Sequence, residues 1–422
     1  MTERKQDKMK RFLAILLAAV TLLGLAACGN GGTAQNGDKI TITMTYWNSQ
    51  DTMQPLIDLI EEKLPDIKIQ YNYVSNASYS MTTSTKLLGG NADDIIAFSV
   101  GEELDYGRQG LLADVSALYN DDFTHNVGDT VDGKNYYVPM NTWYEGIYYN
   151  KDIFAQHNIE VPTTFDEFLA VCAKLESVGV QPFTIGAKGG DSLVKCSLGY
   201  ITSEYLLQDA GKDFDYKFSQ GQVKMAEAWK PYVDKWSKII TEGYINTDHL
   251  GINDNQAMDE FVTGIAAMYP SGTWAYNTIK KKNFNMNFGL MPYLGDSPEN
   301  ACVVGGAGGG FCLNAKSKNY DAAYRVMEVI ASPEGQKAMA AGSPGSGSQH
   351  MDVGYELPAE FAAVQTVLDN GRIYCAWHNW GDAACFGTYG SVLQELVLGK
   401  ASVQGALEKV DEVAADYLSQ AE

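Results

Sequence analysis

A chain of 422 residues, 45% hydrophobic and 20% charged, has globular composition and is long enough for its core to divide into two lobes. Its formal charge of −21, from 31 Lys and Arg against 52 Asp and Glu, argues against nucleic acid and against electrostatic membrane docking. So acidic a surface repels phosphate backbones and anionic headgroups.

The chain opens as an export signal. Arg4, Lys5, Lys8, Lys10 and Arg11 form a basic start, and Phe12 to Ala27 is apolar except for Thr21. That run is short of the roughly 20 residues that cross a bilayer. Leu25-Ala26-Ala27-Cys28 resembles the bacterial lipobox, which implies a signal peptide over residues 1–27, a lipid on Cys28 and a tether through residue 38. An ordinary signal peptide with an accidental Cys28 is the alternative.

Lys39 to Trp47 alternates apolar and polar as a strand does. Leu56, Ile57, Leu59, Ile60 and Leu64 then give a helix an apolar stripe that ends at Pro65. Ile67 to Val74 is a strand, Tyr79 to Leu88 a helix, and Asp94 to Phe98 a short buried strand. This is the rhythm of a parallel sheet covered by helices, an α/β architecture in which ligands bind beyond the carboxyl ends of the strands. Those ends read Trp47-Asn48-Ser49-Gln50 and Phe98-Ser99. Extended segments are expected at Tyr136 to Pro139 and Ile147 to Asn150, around Asn141 to Glu145.

A helical region follows. Thr164 to Glu167 is a capping box for a helix reaching Ser177, and helices are expected over Asp191 to Asp209, Gly221 to Thr241 and Asp254 to Thr263. Ile265 to Tyr269 is a buried strand that turns at Pro270 to Trp274 into another helix. Gly305 to Gly310 marks a tight backbone crossing, Pro333 follows the cap Ser332, and Gly342 to Ser348 is a loop. The tail is helical over Phe361 to Leu368, Tyr389 to Leu398 and Val403 to Tyr417.

Cys172, Cys196, Cys302, Cys312, Cys375 and Cys385 are expected to be mostly buried thiols, although an exported chain permits disulfides, and the pairings Cys302/Cys312 and Cys375/Cys385 stay open. No Cys-x-x-Cys occurs and no two histidines lie within four residues of each other, so neither a structural metal nor a cofactor is expected.

Tyr137-Val138-Pro139, Gly146 to Phe154 and Pro162 to Phe168 together resemble the carbohydrate-type extracellular solute-binding proteins of ABC importers, the maltose-binding-protein-like family. Gly110 to Asp114, and Phe261 to Met268 with Gly272 and Trp274, are similar to that family's other signatures. The resemblance covers about Ile40 to Tyr417. It implies two α/β lobes whose connecting hinge is crossed three times, here near Tyr144, Pro298 and Gly345, with a cleft that closes on sugar. The lobes would comprise residues 39–143 with 299–344, and 144–298 with 345–422.

The same resemblance implies ligand contact at Asn48, Gln50, Phe98, Trp143 and Trp274, with Asp191 in a contacting loop, Ser271 before Trp274, and Phe386 where relatives often carry an aromatic. It also implies a permease as partner, an extracytoplasmic monomer and membrane attachment only through lipid. The residues support such a site by themselves: sugars offer C–H faces to aromatic rings and hydroxyls to amides and carboxylates. Trp47-Asn48-Ser49-Gln50 and Trp377-His378-Asn379-Trp380 each mix the two kinds, although any one of these tryptophans could instead be core.

Beyond Cys28 the arginines are Arg108, Arg325 and Arg372, of which Arg372 alone is placed to reach a cleft. A receptor for an anion generally uses a bidentate guanidinium, so a neutral oligosaccharide is expected. The rivals are a binding protein for another small solute and a lipid-anchored glycoside hydrolase. The latter would need two facing carboxylates, with Asp93-Asp94, Glu102-Glu103 and Asp121-Asp122 as candidates.

Overall fold

The computed structural model describes residues 39–99, 102–118, 123, 133–354, 356–375, 380 and 383–421. Cys28, the leader and tether, and Trp377, His378 and Asn379 lie outside the described residues.

The expected βαβ start is present. Strand β1 (Ile40–Tyr46) leads through helix α1 (Gln50–Lys63) to β2 (Ile67–Tyr73), and α2 (Asn76–Leu88) leads to β3 (Ile95–Phe98). Helix α3 (Glu102–Arg108) follows, then β4 (Val138–Pro139). β1 pairs in parallel with both β2 and β3, with Ile42 opposite Ile69 and Thr45 opposite Ile96. All of β3 is buried, because both faces of this sheet are covered. Ile42, Met44, Leu56, Ile60, Val326 and Ile330 pack on one face, and Leu87, Ile96, Leu104, Tyr137 and Cys312 on the other.

The second sheet is built on β5 (Asn141–Asn150), whose neighbours change along its length. After β5 come α4 (Lys151–Gln156), α5 (Phe165–Ser177), β6 (Gln181–Phe183) and α6 (Asp191–Ile201). The chain continues through α7 (Phe214–Ser219), α8 (Met225–Ala228), α9 (Lys230–Trp236), α10 (Lys238–Thr241) and α11 (Asp254–Val262) to β7 (Ala266–Gly272), α12 (Ala275–Lys282) and β8 (Phe288–Met291). β9 (Val303–Ala307) lies in the second sheet and β10 (Gly310–Leu313) in the first. Helix α13 (Tyr320–Ala331) then packs on the first sheet and α14 (Pro333–Gly342) on α1, and β11 (Gly347–Ser348) returns to β5. The tail comprises α15 (Gln365–Asp369), β12 (Ile373–Tyr374), α16 (Ala383–Val397) and α17 (Val403–Ala421). A separate core fills this half, with Tyr148, Phe183, Leu198, Trp229, Phe261 and Leu393 among its members. The fold is a two-lobed α/β structure.

Several expectations change. Asn141 to Glu145, between the two expected extended segments, is itself strand, the first half of β5, paired with β9 from Thr142 to Glu145. The strand expected to end at Tyr269 runs to Gly272, because β5 continues beside it. Pro270 is tolerated there because β6 pairs only as far as Met268, leaving that side of the strand without a neighbour to bond. The helix expected over Gly221 to Thr241 is three short ones, broken where Pro231 enters α9 without an N–H to donate.

The chain passes between the sheets at Met140, at Gly308-Gly309 and over Ser343 to Ser346, so the first two crossings fall away from the expected Tyr144 and Pro298. Gly309 has φ +100°, and a Cβ there would lie 2.1 Å from the Phe98 carbonyl oxygen, so only glycine passes at that point. Cys172, Cys196, Cys302 and Cys312 are buried thiols outside any disulfide, which removes the Cys302/Cys312 pairing. The caps follow the sequence: Ser332 Oγ accepts from the Gly335 N–H at 3.1 Å, and Thr164 Oγ1 from the Glu167 N–H at 3.3 Å.

Phe98, expected to touch ligand, is fully buried with its ring centroid 5.0 Å from that of Tyr106. It is a core residue because β3 is covered on both faces. Phe98→Ala should therefore lower the unfolding free energy by about 3–5 kcal/mol in a urea titration, the loss typical of a large-to-small change in a packed core.

Asp215 on α7 accepts from Tyr374 Oη at 2.8 Å and from Trp380 Nε1 at 3.0 Å. Burial pushes its carboxyl up to about 6, against those two hydrogen bonds. The folded chain thus holds this proton more tightly than the unfolded chain. The resulting stabilisation is complete below about pH 4 and is lost as pH rises through 6, by roughly 3 kcal/mol in all. Asp215→Asn keeps an acceptor without a titration, so melting curves should show wild type losing stability relative to the variant between pH 4 and 7. A difference independent of pH would refute this.

Candidate functional site

At the carboxyl end of β1 the backbone turns into α1 with the side chains of Trp47 to Gln50 around the turn. Trp47 is half-buried, its ring 4.6 Å from Tyr46 and edge-on to Tyr79 at 4.9 Å. Asn48 donates from Nδ2 to Tyr46 Oη at 3.1 Å, and its carbonyl accepts from Tyr71 Oη at 2.6 Å. With Tyr46, Thr52, Met53, Asn141 and Ser343, Asn48 lines a hollow between the first sheet and the crossings. Gln50 begins α1 and is exposed, its Nε2 3.4 Å from Gln54 Oε1.

The second lobe supplies an aromatic pair. Trp143 stands in β5 opposite Gly306 of β9, and its ring meets Trp274 edge-on, with centroids 5.6 Å apart and planes at 64°. Trp274 is 37% exposed, so part of its indole is open to solvent. Its ring lies over the backbone of Gly272, where an added Cβ would come within 2.1 Å of the indole. Thr273 holds the turn by donating its N–H to the Tyr144 carbonyl at 3.1 Å.

Beside Trp274 lies a buried ion cluster. Lys195 on α6 places Nζ 2.5 Å from Glu145 Oε1, 2.9 Å from Asp191 Oδ2 and 5.1 Å from the Trp274 ring centroid. Burial disfavours the ammonium, but Asp191, Glu145 and Asp254 together raise its pKa above the ordinary lysine value. Lys195 therefore stays charged. The Asp191 side chain is 41% exposed and can offer an oxygen to a ligand. Ser192 Oγ donates to Asp254 at 2.7 Å, tying α6 to the start of α11.

Of the expected contact residues, the fold brings Trp143, Trp274 and Asp191 together in the second lobe and places Asn48 in the hollow beside the crossings. Ser271 corrects its expectation: it is buried in β7 opposite Gly146. Phe386 is half-buried on α16, with its ring 5.9 Å from Trp380. Glu145, Lys195 and Gly272 were missed. A lone acid inside an apolar strand, and Lys195 four residues after Asp191 on a helix, were the signals that could have found the first two.

The arginines are committed elsewhere. Arg108 pairs with Asp105 at 2.8 Å, and Arg325 makes a bidentate pair with Asp66 at 2.7 and 2.9 Å. Arg372, the one arginine placed to reach a cleft, donates to the carbonyls of Ala301 at 2.9 Å and Asn300 at 2.8 Å. Among the hydrolase candidates, Asp93 accepts from Thr45 and Asn72, and Asp94 from Thr43 and Ser317, so both tie strand ends. Asp121 and Asp122 lie outside the described residues. Among the described residues no group of His, Cys, Asp and Glu is arranged to hold a metal, and no helix is long and apolar enough to cross a membrane.

Residues 46–337 match the family model of the bacterial extracellular solute-binding protein. The multiple sugar-binding protein of Streptococcus mutans is 25% identical to this chain, over 74% of it and 76% of that protein. The maltodextrin-binding protein MdxE of Bacillus subtilis is 26% identical, over 76% of this chain and 77% of its own. The structure of a family 1 extracellular solute-binding protein from Bifidobacterium longum subsp. infantis superposes with a TM-score of 0.67 at 26% identity, covering 90% of this chain and all of that one. With the family model spanning well over half of its length, this chain belongs to the bacterial extracellular solute-binding protein family.

Proposed function

We propose that the protein is a sugar receptor of an ABC importer, binding a neutral oligosaccharide between its lobes and presenting it to a membrane permease. The observation that carries this reading is the exposed indole of Trp274, set edge-on to Trp143 and flanked by the exposed carboxylate of Asp191. An aromatic face beside a hydrogen-bonding acid is what a pyranose ring needs. Asn48 and Gln50 on the first lobe would meet the other side of the sugar. The names of the Streptococcus and Bacillus relatives support a saccharide ligand.

Binding then works without chemistry. Ligand that touches both lobes favours the closed arrangement by its differential affinity, and the closed form is what a permease would read. The commitment of Arg108, Arg325 and Arg372 to structural partners supports a neutral ligand. We further propose that Cys28 carries a lipid that anchors the protein on the outer face of the cytoplasmic membrane.

A thermal-shift panel of raffinose, stachyose, maltotriose, mannitol and a uronic acid tests the ligand class. A neutral oligosaccharide should raise Tm, with calorimetric affinity nearly independent of salt because no net charge is neutralised. Trp274→Ala should keep its fold and lose at least several-fold in affinity, since about 40 Å² of ring contact is worth roughly 1 kcal/mol. Tight, salt-sensitive binding of the uronic acid alone would overturn the reading. For the anchor, Cys28→Ala expressed in a bacterial host should release the protein from the membrane fraction; full retention would refute the lipid.

A further inference from the structure

Lys195 is an improbable residue to bury. Its side chain is only 9% exposed and that of its partner Glu145 only 3%, and a buried ion pair seldom stabilises a fold more than well-packed apolar residues would. Tyr293 Oη sits 3.4 Å from the other Glu145 oxygen, and Asp191 fixes the ammonium from the mouth of the site at 2.9 Å. Glu145 is held in turn by the β5 ladder, opposite Gly272 of β7 and Val304 of β9. The ammonium is therefore fixed to the sheet, and it stands over the ring of Trp274 with its Nζ 5.1 Å from the centroid.

We propose that Lys195 is a positioning residue: clamped by Glu145 and Asp191, it sets the orientation of the Trp274 indole before any sugar arrives. The inference rests on the reading of Trp274 as a sugar platform. Three contacts define the ring. The Gly272 backbone lies against it, Trp143 meets it edge-on, and the Lys195 cation attracts its electron-rich face. With the ring already oriented, binding a sugar does not have to freeze a mobile indole, and that saving appears as affinity. The carboxylates that clamp Lys195 also draw its charge away from the ligand, so the site can hold a cation and still suit a neutral sugar.

The test reads ring orientation separately from affinity. Two tryptophans this close at 64° give an exciton couplet in circular dichroism, isolated by subtracting the spectrum of Trp274→Ala. Lys195→Met should diminish that couplet without any sugar present. It should also weaken whichever of raffinose, stachyose or maltotriose binds best by about 3- to 10-fold, the size of a partly desolvated cation–π contact. Lys195→Gln keeps a donor toward Glu145 but carries no cation, and should give the same two losses, so the inference stays testable if Lys195→Met does not fold. In the Trp274→Ala background, Lys195→Met should cost no further affinity. An unchanged couplet in folded Lys195→Met would overturn the proposal, as would an equal loss of affinity with and without Trp274. If Trp274→Ala binds sugar as wild type does, the platform reading fails, while the couplet still decides whether Lys195 orients the ring.

Discussion

The need to pair the backbone of β5 governs this molecule. A buried strand cannot leave N–H and C=O groups unbonded, and β5 meets that demand with four partners in succession: β11 at Asn141–Thr142, β9 from Thr142 to Glu145, β7 from Glu145 to Tyr149 and β8 from Ile147 to Asn150. It begins one residue after β4, which belongs to the other sheet. The same strand therefore organises the second lobe, carries the chain across from the first, and presents Trp143 and Glu145 to the site. The register leaves little freedom, since a slip of one residue would exchange Trp143 for Tyr144, whose ring is wholly buried.

The connections between the lobes are short and mostly polar. Ser346 Oγ reaches Thr273 Oγ1 at 2.8 Å and Ser343 Oγ at 3.0 Å, Asn277 donates to the Gly342 carbonyl at 3.0 Å, and Lys281 pairs with Asp51 at 2.6 Å. The hydroxyl chain is buried beside a crossing. The Lys281–Asp51 pair is open to water on both sides, and such pairs contribute little. This interlobe ion pair thus does not lock one arrangement, which leaves room for a ligand's own contacts to shift the balance.

The charges are arranged to suit that task. The one buried ammonium of the site, on Lys195, is outnumbered by the carboxylates of Glu145 and Asp191, and the guanidinium groups that would attract an anion are spent on Asp105, Asp66 and backbone carbonyls. The polar groups that remain exposed near Trp274 and Asn48 are a carboxylate and amides, which accept from and donate to hydroxyls.

Much of this was legible in the sequence because its causes are local. The alternation of Lys39 to Trp47, the stripe from Leu56 to Leu64, the caps at Thr164 and Ser332 and the Gly-rich crossing depend on residues a few positions apart, and each stands where the sequence put it. The order of motifs identified the family, and the Pro-Ser-Gly run before Trp274 marked an exposed tryptophan. Pairing partners distant in sequence decided the rest. Pairing with β9 carried the strand back over Thr142 to Glu145, and covering both faces of β3 buried Phe98. Arg372 was drawn to the carbonyls of Asn300 and Ala301, and Lys195 met Glu145 and Trp274 only once α6 had packed near β5 and β7. Burial, ion pairing and ring orientation are properties of contacts between segments, and a linear pattern carries only the half of each contact that lies within its own segment.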